Sequence, residues 1–306
     1  STIMSFLEQK IRDAHTAGRT ALIPFVTAGF PTLDTFWGII EELDANGADV
    51  IEIGVPFSDP VADGPVVEDA SRRALEQGVS LNWIMDGLRQ RAGNFKAGIV
   101  LMGYLNPFLQ YGLERFAADA AQAGVSGCIV PDLPLDESAP IRATLKAHGI
   151  ALIALVGQNT PEERMREYAA VSEGYVYVVS VLGTTGARAG LPPQVEETLR
   201  RARKAFNLPL ALGFGLQHPD QLAAIPADIR PDAAVFGSAL LKHLDKGNAA
   251  KAFLEVWARC RKQKRPPPIP AGWTSTGRDF CCRHFSLSAP NQAQAPPSSR
   301  RAFTFR

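Results

Sequence analysis

An α/β protein built as a (β/α)8 barrel of the TIM type is predicted by three observations on the 306-residue chain. Short β-branched apolar runs alternate with longer segments whose apolar residues recur every three to four positions, which is the pattern of βα units. Eight such runs fall between residues 20 and 258, and about 250 residues is the usual size of one barrel core. The runs are apolar throughout, as parallel strands covered on both faces must be. A doubly wound sheet is the alternative, since periodicity does not reveal closure, but that fold rarely needs eight such regular units.

Taken in chain order, the opening STIMSFLEQKIRDAHTAG is amphipathic and predicts an extra N-terminal helix ahead of the barrel. It lacks the uninterrupted apolar core of a secretory signal, and the longest strongly apolar stretch, 149–157, is about half of the ~20 residues that cross a bilayer. A cytoplasmic enzyme without a membrane span is therefore expected. Strands are predicted at 21–27, 50–54, 98–102, 127–130, 151–156, 175–179, 210–213 and 233–236. Helices are predicted at 35–46, 80–92, 113–123, 138–148, 161–172, 194–206, 219–224 and 249–258. Several open on a capping residue before an acidic first turn, such as Thr160-Pro161-Glu162-Glu163.

Composition is that of a folded globular body, with 46% apolar and 21% charged residues, but the formal net charge of +1 hides an asymmetry. Residues 1–258 carry 22 basic and 30 acidic side chains, whereas residues 259–306 carry 10 basic and one acidic. The same tail holds Cys260, Cys281 and Cys282 without the Cys-x2-Cys pairs of a zinc site. The chain is read as a barrel, 1–258, followed by a basic Pro/Ser/Arg-rich tail, 259–306, expected to be disordered. Basic residues interleaved with Trp273, Phe280 and Phe285 leave a nucleic-acid contact as the disfavoured alternative to a solvated appendage.

A barrel places its chemistry in the loops after the strands. In Val50-Ile51-Glu52-Ile53-Gly54-Val55 a carboxylate interrupts an apolar strand near its C-terminal end. Burying an unpaired carboxylate costs several kcal/mol unless it is protonated or paired. Glu52 is thus either a rim or ion-paired residue, or an acid–base group whose pKa burial raises into the working range. Asp63, eleven residues on, follows a proline-stiffened loop; it fits a turn or cap Asp in Asp-Gly-Pro, or a second carboxylate over the barrel mouth.

Three glycine-containing segments, Gly183-Thr184-Thr185-Gly186, Gly213-Phe214-Gly215 and Phe236-Gly237-Ser238-Ala239, follow strands six, seven and eight. Each alone is explained by a tight turn. Their joint placement is where barrels bind phosphate through backbone N–H groups and a helix N-terminus, which predicts a phosphate monoester substrate. No lysine falls near a strand's C-terminal end, which disfavours Schiff-base chemistry. The scattered histidines form no metal-ligand motif, so no metal is expected. Carboxylates must then carry the reaction.

The run from Ile51 to Pro65, IEIGVPFSDPVADGP, resembles the signature of the tryptophan synthase alpha chain family. The resemblance extends from about Met4 to Ala258, with Pro24-Phe25-Val26-Thr27-Ala28-Gly29, Tyr104-Leu105-Asn106-Pro107, Pro131-Asp132-Leu133-Pro134, Thr184-Thr185-Gly186-Ala187-Arg188, Gly213-Phe214-Gly215 and Phe236-Gly237-Ser238-Ala239 in family order. It implies a (β/α)8 barrel that cleaves indole-3-glycerol phosphate to indole and D-glyceraldehyde 3-phosphate by a retro-aldol reaction without a cofactor. By the same resemblance, Glu52 is the general acid–base and Asp63 accepts the indole N–H. Phe25, Tyr104, Tyr177 and Phe214 are implied to contact substrate, with Thr185, Gly186, Gly215, Gly237 and Ser238 at the closing loop and phosphate.

The family's partner is a PLP-dependent beta chain in an α2β2 heterotetramer, and Pro56, Asp59, Asn106 and Pro134 match its docking face. PLP is expected only on that partner. The resemblance also implies weak activity of the isolated chain, raised when the partner favours closure of the 180–193 loop. Two departures stand out: Val181-Leu182 replaces the Arg-Ser of some relatives, and the tail has no family counterpart. A stand-alone indole-3-glycerol phosphate lyase and a non-catalytic barrel scaffold are the rival readings.

Overall fold

The apolar runs fold as parallel strands: β1 Ala21–Thr27, β2 Val50–Gly54, β3 Gly98–Met102, β4 Val125–Ile129, β5 Ala151–Leu152, β6 Ala154–Gly157, β7 Val176–Val179, β8 Leu210–Gly213 and β9 Ala233–Phe236. The computed structural model describes residues 3–59, 63–180, 192–213 and 215–259, all within one compact unit. Strand order is β5-β4-β3-β2-β1-β9-β8-β7-β6. The two ends of that order, β5 and β6, are halves of one predicted strand, 151–156, separated only by Ile153. The row therefore returns to itself as a nearly closed eight-stranded barrel.

The break has a local cause. The first half pairs with β4 through Gly127↔Ala151 and Cys128↔Leu152, and the second pairs with β7 through Leu155↔Tyr177. The Ile153 N–H, donating to the Cys128 carbonyl at 2.9 Å, is the hinge between them. The fourth strand starts two residues earlier than predicted, at Val125. A register shift between Ile99 and Val100, whose partners are Val125 and Gly127, sets Ser126 outside the regular ladder and hides that start from the pattern.

Around the barrel lie α2 Leu33–Ala45, α3 Pro65–Glu76, α4 Leu81–Gln90, α5 Leu105–Tyr111, α6 Leu113–Gln122, α7 Ala139–Ala147, α8 Glu162–Val171, α9 Pro193–Ala205, α10 Asp220–Ala223, α11 Ser238–Asp245 and α12 Ala250–Arg259. Thr32 and Ser80 cap α2 and α4 by accepting the N–H groups of Thr35 and Trp83. The predicted Thr160 cap is corrected. Pro161 is the N-cap of α8, and the Thr160 hydroxyl instead accepts the Gly157 N–H at 3.0 Å, tightening the turn after β6. The last helix runs one residue into the predicted tail, to Arg259, and the rest of the tail lies outside the described residues.

Most strands bury both faces, but against different partners; in β6, Leu155 and Gly157 stay partly open. Leu22, Ile51, Ile53, Leu101, Val176, Val178 and Leu212 face the helices. Ala21, Ile23, Val50, Val100, Ile129, Tyr175, Tyr177, Ala211 and Val235 fill the barrel interior. The expected N-terminal helix is α1, Phe6–Thr16, whose Leu7, Ile11 and Ala14 join that interior cluster. Leu7 lies where a Cβ on Gly98 or Gly127, at or near the starts of β3 and β4, would come within 2.6 Å of it. Thus α1 closes the N-terminal end of the barrel, and the C-terminal end is left for the site.

Candidate active site

Strand alternation decides which way Glu52 points. Val50 belongs to the interior cluster and Ile51 and Ile53 to the outer one, so Glu52 faces inward, in register with Phe25 on β1 and Val100 on β3. The residue is fully buried. One carboxylate oxygen, Oε1, accepts the Tyr175 hydroxyl at 2.8 Å, and Oε2 has no hydrogen-bond partner among the described residues. Burial raises the Glu52 pKa to about 8, partly opposed by the Tyr175 hydrogen bond. Rim or ion-paired readings of Glu52 do not hold, because it neither reaches solvent nor meets a cation among the described residues.

Above it, at the C-terminal mouth, a cavity of about 350 Å³ is lined by Phe25, Asp63, Tyr177, Gly215, Gly237 and Ser238 among others. Six residues singled out from sequence for chemistry or binding therefore meet in one place. Glu52 lies beneath this lining, close enough to Tyr177 that its charge contributes to raising the tyrosine's pKa well above the ordinary value, after burial. Asp63 is half-buried, and desolvation raises its pKa. A hydrogen bond from Tyr104 opposes the rise and Glu68 adds to it. Tyr104 thus reaches the site through Asp63; it is buried, its ring tilted against that of Phe57 with centroids 5.3 Å apart, and it is not among the residues that line the cavity.

The glycines divide into two jobs. A Cβ on Gly54 would sit 2.5 Å from Phe25 Cζ, so this glycine makes room for the ring that lines the cavity. Gly213 does the same for Tyr177, where a Cβ would meet the tyrosine hydroxyl. Gly213 is therefore a packing glycine, whereas Gly215 (φ 89°) and Gly237 line the cavity with backbone. Gly237 is the N-cap of α11 and makes no side-chain cap bond, leaving Ser238 at the first helical position facing the cavity. Such a helix start presents N–H groups to an anion. Thr185, Gly186 and Phe214 lie outside the described residues, as does all but the ends of the 180–193 loop.

On the rim, Asp59, Asn106 and Pro134 are exposed and Pro56 is buried. The Asp132 carboxylate accepts the Leu105 N–H at 2.9 Å and ties together the two loops that carry Asn106 and Pro134. No group of three or more metal-ligating side chains occurs among the described residues. Sequence reasoning missed Tyr175, the direct partner of Glu52. Its signal was available: Tyr175 and Tyr177, two apart at the start of one strand, must point the same way.

Residues 11–265 match the family described as tryptophan synthase alpha chain. The chain is 65% identical over 254 residues to the tryptophan synthase alpha chain of Nitratidesulfovibrio vulgaris, covering 83% of this chain and 98% of that one. It is also 65% identical to that of Desulfovibrio desulfuricans, covering all of it. Among solved structures it resembles Mycobacterium tuberculosis tryptophan synthase, with a TM-score of 0.76 and 31% identity over 85% of this chain and 99% of that one. The alpha subunit from Legionella pneumophila gives 0.75 and 30%, over 85% and 99%.

Proposed function

The chain belongs to the tryptophan synthase alpha chain family, whose lyase reaction cleaves indole-3-glycerol phosphate in tryptophan biosynthesis, and on that premise we propose that Glu52 and Asp63 divide the chemistry of the cleavage. The observation that carries this reading is the buried Glu52 carboxyl, with one hydrogen bond and a pKa of about 8 beside the cavity. At neutral pH it is an acid. It gives its proton to C3 of the indole ring, and the resulting indolenine carries a positive charge at N1. The Asp63 carboxylate accepts the N1–H and stabilises that charge, with Tyr104 favouring its ionised form.

The Glu52 carboxylate so formed takes the proton of the glycerol hydroxyl next to the ring. The C–C bond breaks, its electron pair returns to the ring, and indole and the aldehyde of glyceraldehyde 3-phosphate result, with Glu52 protonated as at the start. One group serves as acid and then base because its pKa lies near the working pH. Phe25 and Tyr177 form the indole side of the cavity, while Gly215, Gly237 and Ser238 hold the phosphate, assisted by Thr185 and Gly186 from the closing loop; Phe214 completes the indole pocket.

The alpha chain itself uses no cofactor in this scheme; PLP belongs to the beta chain. Family membership implies a beta-chain partner, and the proposed assembly is an α2β2 heterotetramer docked through Asp59, Asn106 and Pro134, with Pro56 supporting the rim from beneath. The proposed location is the cytoplasm, in keeping with the lack of any helix long and apolar enough to cross a membrane among the described residues. The 1–258 barrel is the catalytic body and 259–306 an appendage. Indole release from indole-3-glycerol phosphate by the full chain, with and without a beta chain, tests this reading. Slow release that rises sharply with the partner is expected. Equal, fast release in both cases would favour the stand-alone lyase, and none in either would remove the catalytic reading.

A further inference from the structure

The cavity is electrically polarised. Asp63 lines one part of it, and another is lined by Ser238 and Lys242 of α11 and by Lys246, the residue that caps the helix's C-terminal end. The three are spaced by four residues, so Ser238 and Lys242 share one face of the helix and Lys246 follows at its C-cap, about two turns from the helix start. Neither lysine has an ion-pair partner among the described residues. Two carboxylates near this end of α11 are engaged elsewhere: Asp245 pairs with Arg73 at 2.9 Å and Asp69 with Arg72 at 2.7 Å. His243, also on this wall, is fixed by a 2.7 Å hydrogen bond between its Nε2 and the Ala249 carbonyl and by its edge contact with Phe253.

We propose that Lys242 and Lys246 form a cationic approach that captures the phosphate end of indole-3-glycerol phosphate and passes it along α11 to Ser238, so that the uncharged indole end enters towards Asp63. The inference rests on the reading that Gly237 and Ser238 hold the phosphate. A dianion is drawn first to the unpaired ammonium groups, and fields of this kind raise encounter rates about tenfold or more before any close contact forms. The pair acts on capture and orientation and takes no part in proton transfer.

The test is steady-state indole release by the full chain carrying Lys242→Gln and Lys246→Gln together, across a range of ionic strength. The expected result is a fall of about tenfold in kcat/KM, carried by KM, with a flatter decline of kcat/KM with salt than the unsubstituted chain shows. Arginine at both positions should restore both quantities. An unchanged kcat/KM and salt slope overturns the proposal, as does a loss carried by kcat alone. A parallel Ser238→Asp variant separates the two readings. If it raises KM steeply while the lysine variant behaves as the unsubstituted chain, only the capture role falls; if it leaves KM unchanged, the phosphate site itself is misplaced.

Discussion

Asp49 and Glu52 lie three residues apart, one just before β2 and the other at its middle, and both are withdrawn from water, at 8% and 0% exposure. At the N-terminal end of the barrel Asp49 is supplied with partners. Arg19 grips its two oxygens at 3.0 and 3.1 Å, and the Leu22 N–H donates to it at 2.8 Å. Asp232 repeats the arrangement ahead of β9, with Arg203 at 2.7 Å and the Leu210 N–H at 2.9 Å. Among the described residues Glu52 receives one hydroxyl and no cation. The same chemical group is a strand lock where its charge is matched and a proton carrier where it is not. Burial alone does not distinguish the two; the supply of partners does.

The largest effect expected from that contrast is at Glu52. Glu52→Gln keeps shape but removes the exchangeable proton, and should lower indole release by about 10²–10⁴-fold or more while leaving substrate binding, measured by equilibrium titration, in place. Stability should move the other way with pH. The folded chain holds the Glu52 proton up to about pH 8, whereas the unfolded chain releases it near the ordinary value of about 4.3. The contribution is therefore complete below about pH 4 and is lost as pH rises towards 8. Thermal unfolding at pH 5 and pH 8 should show the glutamine variant gaining on the unsubstituted chain at the higher pH. Equal pH slopes would count against a buried, protonated Glu52.

Asp63→Asn should follow, with a loss of about 10²-fold or more in kcat and little change in melting temperature, because its carboxylate serves the charged intermediate. A variant that melts earlier but turns over normally would return Asp63 to the role of a turn residue. The opposite pattern is expected at the other end of the barrel. Arg19→Ala leaves the Asp49 carboxylate without its cation and should cost about 2 kcal/mol of stability in urea unfolding while the folded fraction keeps its kcat. Tyr175→Phe is the smallest change. Loss of its hydrogen bond lets the Glu52 pKa rise further, so the alkaline limb of kcat/KM should move upward from about pH 8, with turnover reduced only several-fold.

The barrel was legible because parallel strands buried on both faces leave uninterrupted apolar runs; β1, β2, β3, β8 and β9 begin and end where the pattern places them. What was hidden is local. The helix α3 escaped notice because Asp63-Gly64-Pro65 reads as a turn, yet Gly64 is its N-cap and Pro65 its first residue, and its buried face is made of Ala70, Ser71 and Ala74 instead of large apolar side chains. Likewise α5 carries Pro107 in its first turn, where proline is tolerated, within a segment that reads as a loop. The site was legible at Glu52 for the converse reason: a charge in an apolar strand violates the pattern. Tyr175 conformed to it, as did Lys242 in an ordinary amphipathic helix and Lys246 at its C-cap, and residues that obey the pattern do not advertise a role.

The most direct test of the account is the titration of the Glu52 carboxyl carbon by ¹³C NMR in glutamate-labelled full-length chain, assigned by its disappearance in Glu52→Gln. A midpoint near pH 8 is predicted, which would make Glu52 the resting acid of the cleavage. A midpoint near the ordinary glutamate value of about 4.3 would mean a carboxylate at working pH, and would contradict the proton-carrier role that separates it from Asp49.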